Sequence, residues 1–296
     1  MRTRVFLSLI IILSMVTAQA QKPLKITDDS VKFGNTLCPG IWIDIPEVNI
    51  EIIRAAWIKT IEKGTKSKAI VTGQEITLFG ALLKDITEAP VNIFSSIEGR
   101  DSVVRLFTAL ELKRDEFTLI NSSEHEQLKI YVKQFAKDRY IKVAEDQLSA
   151  EESKLKNLTK ELSSMRKVKE KLEKEIQSAN TTISEENYKV SSTKKELAET
   201  EASLDDKSSE LSTMPEGEAK KAVQSEVRDL QKQKKEQLKS ISNSEIKISR
   251  SKTLIQDNDT KITQNLKDQE DLVIKTNLQE AEVKKYTDKL NTIKSY

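Results

Sequence analysis

Apolar residues return at every seventh position through most of the C-terminal two thirds of the chain. Ile141, Leu148, Leu155, Leu162, Ile176, Ile183, Val190, Leu197, Leu204 and Leu211 form one stripe, interrupted once by Lys169. A companion stripe runs through Ala144, Leu158, Met165, Leu172 and Ala179, then turns polar at Glu186, Thr193, Thr200 and Lys207. A seven-residue repeat sustained this far predicts a coiled coil with a left-handed supercoil. Met214-Pro215-Glu216-Gly217 breaks it, and holds the only Pro and the only Gly between Arg100 and Tyr296. Beyond the break, Val227, Ile241, Ile248, Ile255, Ile262, Val283 and Leu290 resume the interval.

Two arms of similar length flanking a Pro-Gly break predict an antiparallel helical hairpin. Val190 and Ile241, Ile183 and Ile248, and Ile141 and Leu290 are each equidistant from the Pro215–Glu216 bond. The same centre sets Leu158 level with Val273 and Met165 level with Leu266. Each arm has about 75 residues, about 110 Å of helix at about 1.5 Å per residue. Two coiled coils joined by a kink, or a parallel oligomer, are the competing readings. Where the companion stripe is polar, from Ser178 to Lys207, a looser seam is expected, with Glu245 and Lys252 opposite.

The period changes upstream. Residues 21–121 hold six of the seven Gly, four of the five Pro and both Trp. Ile41-Trp42-Ile43-Asp44-Ile45 alternates like a half-buried strand, bounded by Pro39-Gly40 and Pro46. Ile50, Ile53, Trp57 and Ile61 recur at helical spacing, and the helix should end at Gly64. Ala69–Val71 and Ile76–Phe79 read as short strands on either side of Gly73. Val91–Ile97 and Val103–Leu112 read as a hairpin across Glu98-Gly99-Arg100-Asp101, with Gly99 supplying a positive φ. Lys25–Phe33 is polar and reads as a strand or a linker. Strand, helix, then antiparallel strands is an α+β order. The expected fold is therefore a small antiparallel-sheet head with one covering helix, followed by the long antiparallel hairpin. A helix should start at Ser123, which has capping-box spacing to Glu126. Its first portion, with Leu128, Tyr131, Val132 and Phe135, should pack on the head.

Charge changes the picture only at the N-terminus. Arg2 and Arg4 precede an apolar run of 12 residues, Val5–Val16, and an Ala18-Gln19-Ala20 cleavage pattern. These predict a signal peptide over residues 1–20, since the run is short for a membrane span. No second run approaches spanning length, so the mature chain should carry no transmembrane segment. The expected division is then 21–121 for the head, 122–214 for the first coiled-coil helix, 215–217 for the turn and 218–296 for the second helix. The chain has 49 Lys and Arg against 47 Asp and Glu. Loss of the leader makes these equal, which removes any whole-chain argument for nucleic acid or anionic lipid. Cys38 is the one cysteine and is expected to be buried rather than bridged to another chain.

Candidate chemistry is sparse. His125 stands alone at a helix start and reads as a surface or capping residue, not a zinc ligand. Lys63-Gly64-Thr65-Lys66 lacks the upstream Gly of a phosphate-binding loop. No nucleophile elbow or dinucleotide fingerprint occurs. The four Asn-X-Ser/Thr sites, at Asn121, Asn157, Asn180 and Asn258, are counted as chance. No cofactor, metal or catalytic residue is expected. Trp42 points away from Ile41, Ile43 and Ile45, so it is either covered by another element or exposed as a binding aromatic. Trp42, Glu216 and Glu218 are the candidate partner-binding residues, the last two at the hairpin tip.

Phe33-Gly34-Asn35, Pro39-Gly40 before the strand ending Ile45-Pro46, the helix with Trp57, and Phe135-Ala136-Lys137 leading into Glu-Lys-Leu repeats together carry a resemblance. The chain resembles an uncharacterised group of exported bacterial proteins with a small α/β head and a charged C-terminal coiled coil. The resemblance implies location and architecture, and no activity. The expected function is a non-enzymatic scaffold or interaction protein in the periplasm of a Gram-negative-type bacterium, or outside the cell, with a protein partner. A chaperone-like clamp and an envelope-transport adaptor are the alternatives. A homo-oligomer through the coiled coil is left open.

Overall fold

The computed structural model describes residues 23–296. The expected signal peptide and its cleavage pattern lie outside the described residues. The elements are β1 (Lys25–Phe33), β2 (Thr36–Pro46), α1 (Ile50–Ile61), β3 (Ile70–Thr72), β4 (Glu75–Ala81), β5 (Val91–Arg100), β6 (Val103–Lys113), β7 (Glu116–Phe117), α2 (Ser123–Thr213) and α3 (Glu218–Ser295). This is an α+β chain with a helical hairpin. It divides into two compact units: the residues through Lys154 together with Gln279–Tyr296, and Leu155–Leu278.

In the first unit the strands form one antiparallel sheet in the order β1-β2-β6-β5-β4-β3, with β7 on β6. The polar stretch Lys25–Phe33 is a full strand, paired to β2 from Lys25↔Asp44 to Phe33↔Thr36. Alternation on the inward face of β2 and β6 puts Ile41, Ile43, Ile45, Val104, Leu106 and Leu110 into one core. Two helices cover that face. Asn49 caps α1 by accepting the N–H groups of Glu51 and Ile52, and α1 delivers Ile53, Trp57 and Ile61 at 0% exposure. The start of α2 adds Leu128, Val132, Phe135 and Ala136. Trp57 holds this layer: its Nε1 donates to the buried Ser95 hydroxyl at 3.0 Å, and its ring meets Phe135 edge-on at 4.9 Å.

Three local expectations are corrected. Pro39-Gly40 does not bound β2 but lies inside it. From Thr36 to Gly40 the strand pairs only with β1, and β6 joins at Ile41↔Thr108, so the missing Pro N–H costs no ladder bond on the open side. A Cβ on Gly40 would meet the Thr108 carbonyl, the Phe107 ring and Ala109, which is why glycine stands there. Gly99 is not the turn residue. It pairs with Val104, the ladder closes at Arg100↔Val103, and Asp101 takes the positive φ of 45°. The α2 cap sits one residue early: Ser122 Oγ accepts the His125 N–H at 3.2 Å and its carbonyl accepts from Glu126. Glu126 turns to Lys129 instead of closing a capping box on Ser123.

The last turns of α3 belong to this unit. Leu290 and Ile293 pack on Tyr140 and Ala144. Lys289 Nζ donates to Glu47 and to Gln147 Oε1, the latter at 2.9 Å. Gln147 Nε2 also donates to Glu47, at 3.2 Å, so the short β2–α1 connection is tied to α2 and α3 at one point.

In the second unit α2 and α3 pair antiparallel within the chain. Glu186 reaches Lys247 at 2.5 Å, Glu175 reaches Asn258 at 3.0 Å and Lys207 reaches Glu226 at 3.0 Å. Each pair is equidistant from the Glu216–Gly217 bond, so the hairpin's centre falls one residue beyond the expected one. Both α2 stripes are as read. On α3 the first stripe holds, with Val227, Ile241 and Ile248 buried, but the second does not. It is Val223, Gln237, Ser244, Asn258 and Leu272 that are buried, while Leu266 and Val273 are 43% and 36% exposed. The seam takes the residue three after each first-stripe position in both arms, because both helices have the same handed 3–4 repeat. Leu266 stands four after Ile262 and falls on the flank. Glu245, expected in the seam, is likewise on the flank, 3.8 Å from Lys194. Among the described residues, no helix is long and apolar enough to cross a membrane.

Candidate functional site

The sheet's second face decides the place of Trp42. Alternation turns Phe33, Cys38, Trp42, Phe107 and Ala109 away from the helices, where Val31, Phe94 and Phe117 close over them. Trp42 packs on Phe107 at 5.3 Å. The Arg105 guanidinium lies 4.6 Å over its ring and donates to Asp44 at 2.9 Å. Trp42 is 5% exposed, so of the two readings the covered one holds and an exposed binding aromatic is set aside. Cys38 is buried in the same cluster, and burial pushes its thiol up to about 11, so it is held as a neutral thiol.

The hairpin tip offers little shape. Glu216 is 88% exposed in its side chain and reaches Lys220 at 2.6 Å. Glu218 is exposed at the first position of α3, where a carboxylate complements the helix dipole. The tip is a solvated, capped turn.

His125 is buried, not on the surface as expected. Its side chain is 0% exposed and its Nε2 lies 2.8 Å from Asp28 Oδ1 on β1. Lys129 Nζ reaches the other Asp28 oxygen at 3.1 Å. Burial would raise the Asp28 pKa, but the hydrogen bonds from His125 and Lys129 outweigh it and hold the carboxyl below its ordinary value. The pair ties an edge strand to α2, and the sequence signal for it was the charge of Asp28 on an otherwise unreadable strand.

A second region was missed in the sequence. A groove of about 1340 Å³ runs between α1, the loop after β4 and the first turns of α2. Ala55, Ile58, Leu82 and Leu83 give it an apolar floor, and Tyr131 stands in one wall. Lys59, Lys63, Lys68, Lys84 and Arg139 line it, against two carboxylates, Glu62 and Asp85. Glu62 is already spoken for. It accepts the Ala69 N–H at 3.0 Å and Lys68 Nζ at 2.9 Å, and these two hold its pKa below the usual range. Burial first, and the Asp85 charge second, raise the Tyr131 pKa, so its phenol stays a donor. No carboxylate among the described residues pairs with Lys59, Lys63, Lys84 or Arg139. Arg139 Nε is buried without an acceptor, its guanidinium 5.7 Å from the Phe135 ring. Lys59 near the end of α1 and Lys63 in the turn after it were the visible part of this groove. The rest comes from segments remote in sequence.

No protein-family model matches the chain, and no curated protein matches it. Among the described residues no group of three metal-ligating side chains forms.

Proposed function

We propose that the protein is a non-enzymatic, exported interaction protein of a bacterial envelope, in which the head holds a protein partner and the hairpin is the scaffold element. The supporting observation is the groove of the head, where Lys59, Lys63, Lys84 and Arg139 stand over an apolar floor without a carboxylate partner among the described residues. Surface cations normally find carboxylates in a chain with balanced charge, and the hairpin's own Lys residues do so at 2.5 to 3.8 Å across its seam. Concave, mostly apolar sites with a few oriented polar groups are the usual form of a binding site. The leader pattern at residues 1–20 supports export.

Affinity capture from envelope extract, with the full chain and with a variant lacking residues 214–217 replaced by a short turn, tests the reading. One stoichiometric partner retained by both chains is expected. Recovery of many unrelated unfolded proteins would instead favour the clamp, and loss of the partner with the tip would favour the adaptor. A homo-oligomer through the hairpin is a second reading, favoured by Leu266, Ile274 and Leu278, which stand 43%, 53% and 52% exposed on α3. The mass of the particle in solution decides it.

A further inference from the structure

The groove's dimensions and charges narrow the kind of partner. Pockets for small ligands run from about 300 to 1,000 Å³. At about 1340 Å³ this one exceeds that range and is far larger than a single inorganic anion needs. Its floor is apolar, so the occupant must bring apolar groups as well as charge. Its cations come from three separate walls: Lys59 on α1 with Lys63 in the turn after it, Lys84 in the loop after β4, and Arg139 on α2. A ligand with one anionic head would engage one wall and leave the others unpaired. A ligand with negative charge distributed along its length would engage all three.

We propose that the groove is the receptor for an acidic, partly apolar peptide segment of the protein partner. The proposal rests on the interaction reading above and specifies its binding surface. Carboxylates of the segment meet Lys59, Lys63 and Lys84 along the rim, and its apolar side chains lie on Ala55, Ile58 and Leu82. Arg139 is the anchor. Its guanidinium lines the groove without an ion-pair partner among the described residues, and a carboxylate in the groove takes two parallel N–H bonds from its terminal Nη1 and Nη2. The rim lysines are exposed, so their contribution is steering and is weakened by salt.

The test uses the full chain and a short fluorescein-labelled peptide in which Glu alternates with Leu, followed by fluorescence anisotropy. Saturable binding that weakens with added salt is expected, with no binding of the matching Lys-Leu or Ser-Leu peptide. Lys59→Glu/Lys63→Glu, two exposed positions whose reversal leaves the core untouched, should weaken binding at least about tenfold. Arg139→Lys keeps the charge and loses the fork, and should weaken it about three- to tenfold. Equal binding of the Ser-Leu peptide, undiminished binding by the double variant, or no binding of the Glu-Leu peptide overturns the proposal. So does binding of phosphatidylglycerol vesicles that the Glu-Leu peptide cannot displace, which reassigns the groove to a lipid. If the double variant still captures the envelope partner, the groove assignment fails while the interaction reading stands. If the peptide binds as expected but no partner is captured by either chain, the interaction reading fails and the groove's chemistry stands.

Discussion

The two compact units bury different kinds of side chain. In the head the largest buried side chains are apolar, Ile41, Ile43, Ile45, Ile53, Trp57 and Ile61, all at 0% exposure, and the buried Ser95 hydroxyl among them accepts from Trp57 Nε1. In the hairpin the seam is only two helices wide, and many of its buried positions are Thr193, Thr200, Gln237, Ser244 and Asn258. The head therefore draws its stability from apolar area removed from water, at about 25 cal/mol per Å². The hairpin gains less per residue and uses polar contacts such as Asn258 to Glu175 and Lys247 to Glu186 to fix which residues stand opposite each other. A site that must hold its shape is better built on the first kind of core than on the second. The groove lies on the head, walled by the outer sides of the same two helices whose inner sides form its core.

Substitutions sharpen that contrast. The largest effect is expected from Trp57→Ala. It removes the largest fully buried side chain, opens a cavity between α1, α2 and β5, and leaves the Ser95 hydroxyl without its donor. A loss of about 3–5 kcal/mol is expected in urea unfolding followed by near-ultraviolet circular dichroism. The helical signal of the hairpin should persist beyond the loss of head structure, giving two transitions. A single transition moved by less than about 1 kcal/mol would mean that the head does not depend on this layer.

Asn258→Leu should act in the opposite direction. Asn258 is 1% exposed in the seam and gives its amide to Glu175. Leucine there would put an apolar side chain into the seam, while Glu175, level with it across the hairpin, turns to solvent. A gain of about 1 kcal/mol is expected in thermal unfolding of the helical signal, with amide exchange slowed on both arms around the site. The cost should be register: a polar seam residue discriminates against slipped pairings, so the variant should show a broader distribution of oligomers. An unchanged midpoint would show that the polar seam costs nothing, and the contrast between the units would lose its energetic basis.

The same contrast explains which parts of the fold the sequence discloses. Elements that bury large apolar residues at a fixed period were legible: α1 from Ile50, Ile53, Trp57 and Ile61, β2 and β6 from their alternation, and both stripes of α2. The second stripe of α3 was not, because its seam residues are Gln237, Ser244 and Asn258 while apolar Leu266 and Val273 stand on the flank. Geometry chose the polar residues, since the partner arm fixes the inward side. β1 was hidden for a related reason: as an edge strand carrying Asp28, Asp29 and Ser30, it owes its place to backbone pairing with β2 and to His125 and Lys129. Of the candidate site, only the spacing of Lys59 and Lys63 was visible. Arg139 and Lys84 join them through the fold of the whole head, and no local pattern carries that.

The smallest expected effect lies at that edge strand, and its pH dependence sets it apart from the apolar layer. The folded pKa of Asp28 is held below its ordinary value of 3.8 by His125 and Lys129, whose hydrogen bonds overcome the opposing effect of burial. A carboxyl with a depressed folded pKa contributes stability that is fully present above its unfolded value, and that stability is lost as pH falls through the folded one. Its side chain is 32% exposed, so screening keeps the contribution at no more than about 1 kcal/mol. Asp28→Asn should therefore lower the urea midpoint of the head slightly near neutral pH, and the difference from the unmodified chain should close as pH is brought below about 4. Trp57→Ala, which removes apolar area and a neutral hydrogen bond, should show the same loss at both ends of that range. If the Asp28→Asn difference stayed constant with pH, the tie between β1 and α2 would rest on packing around His125 and not on the charge of Asp28.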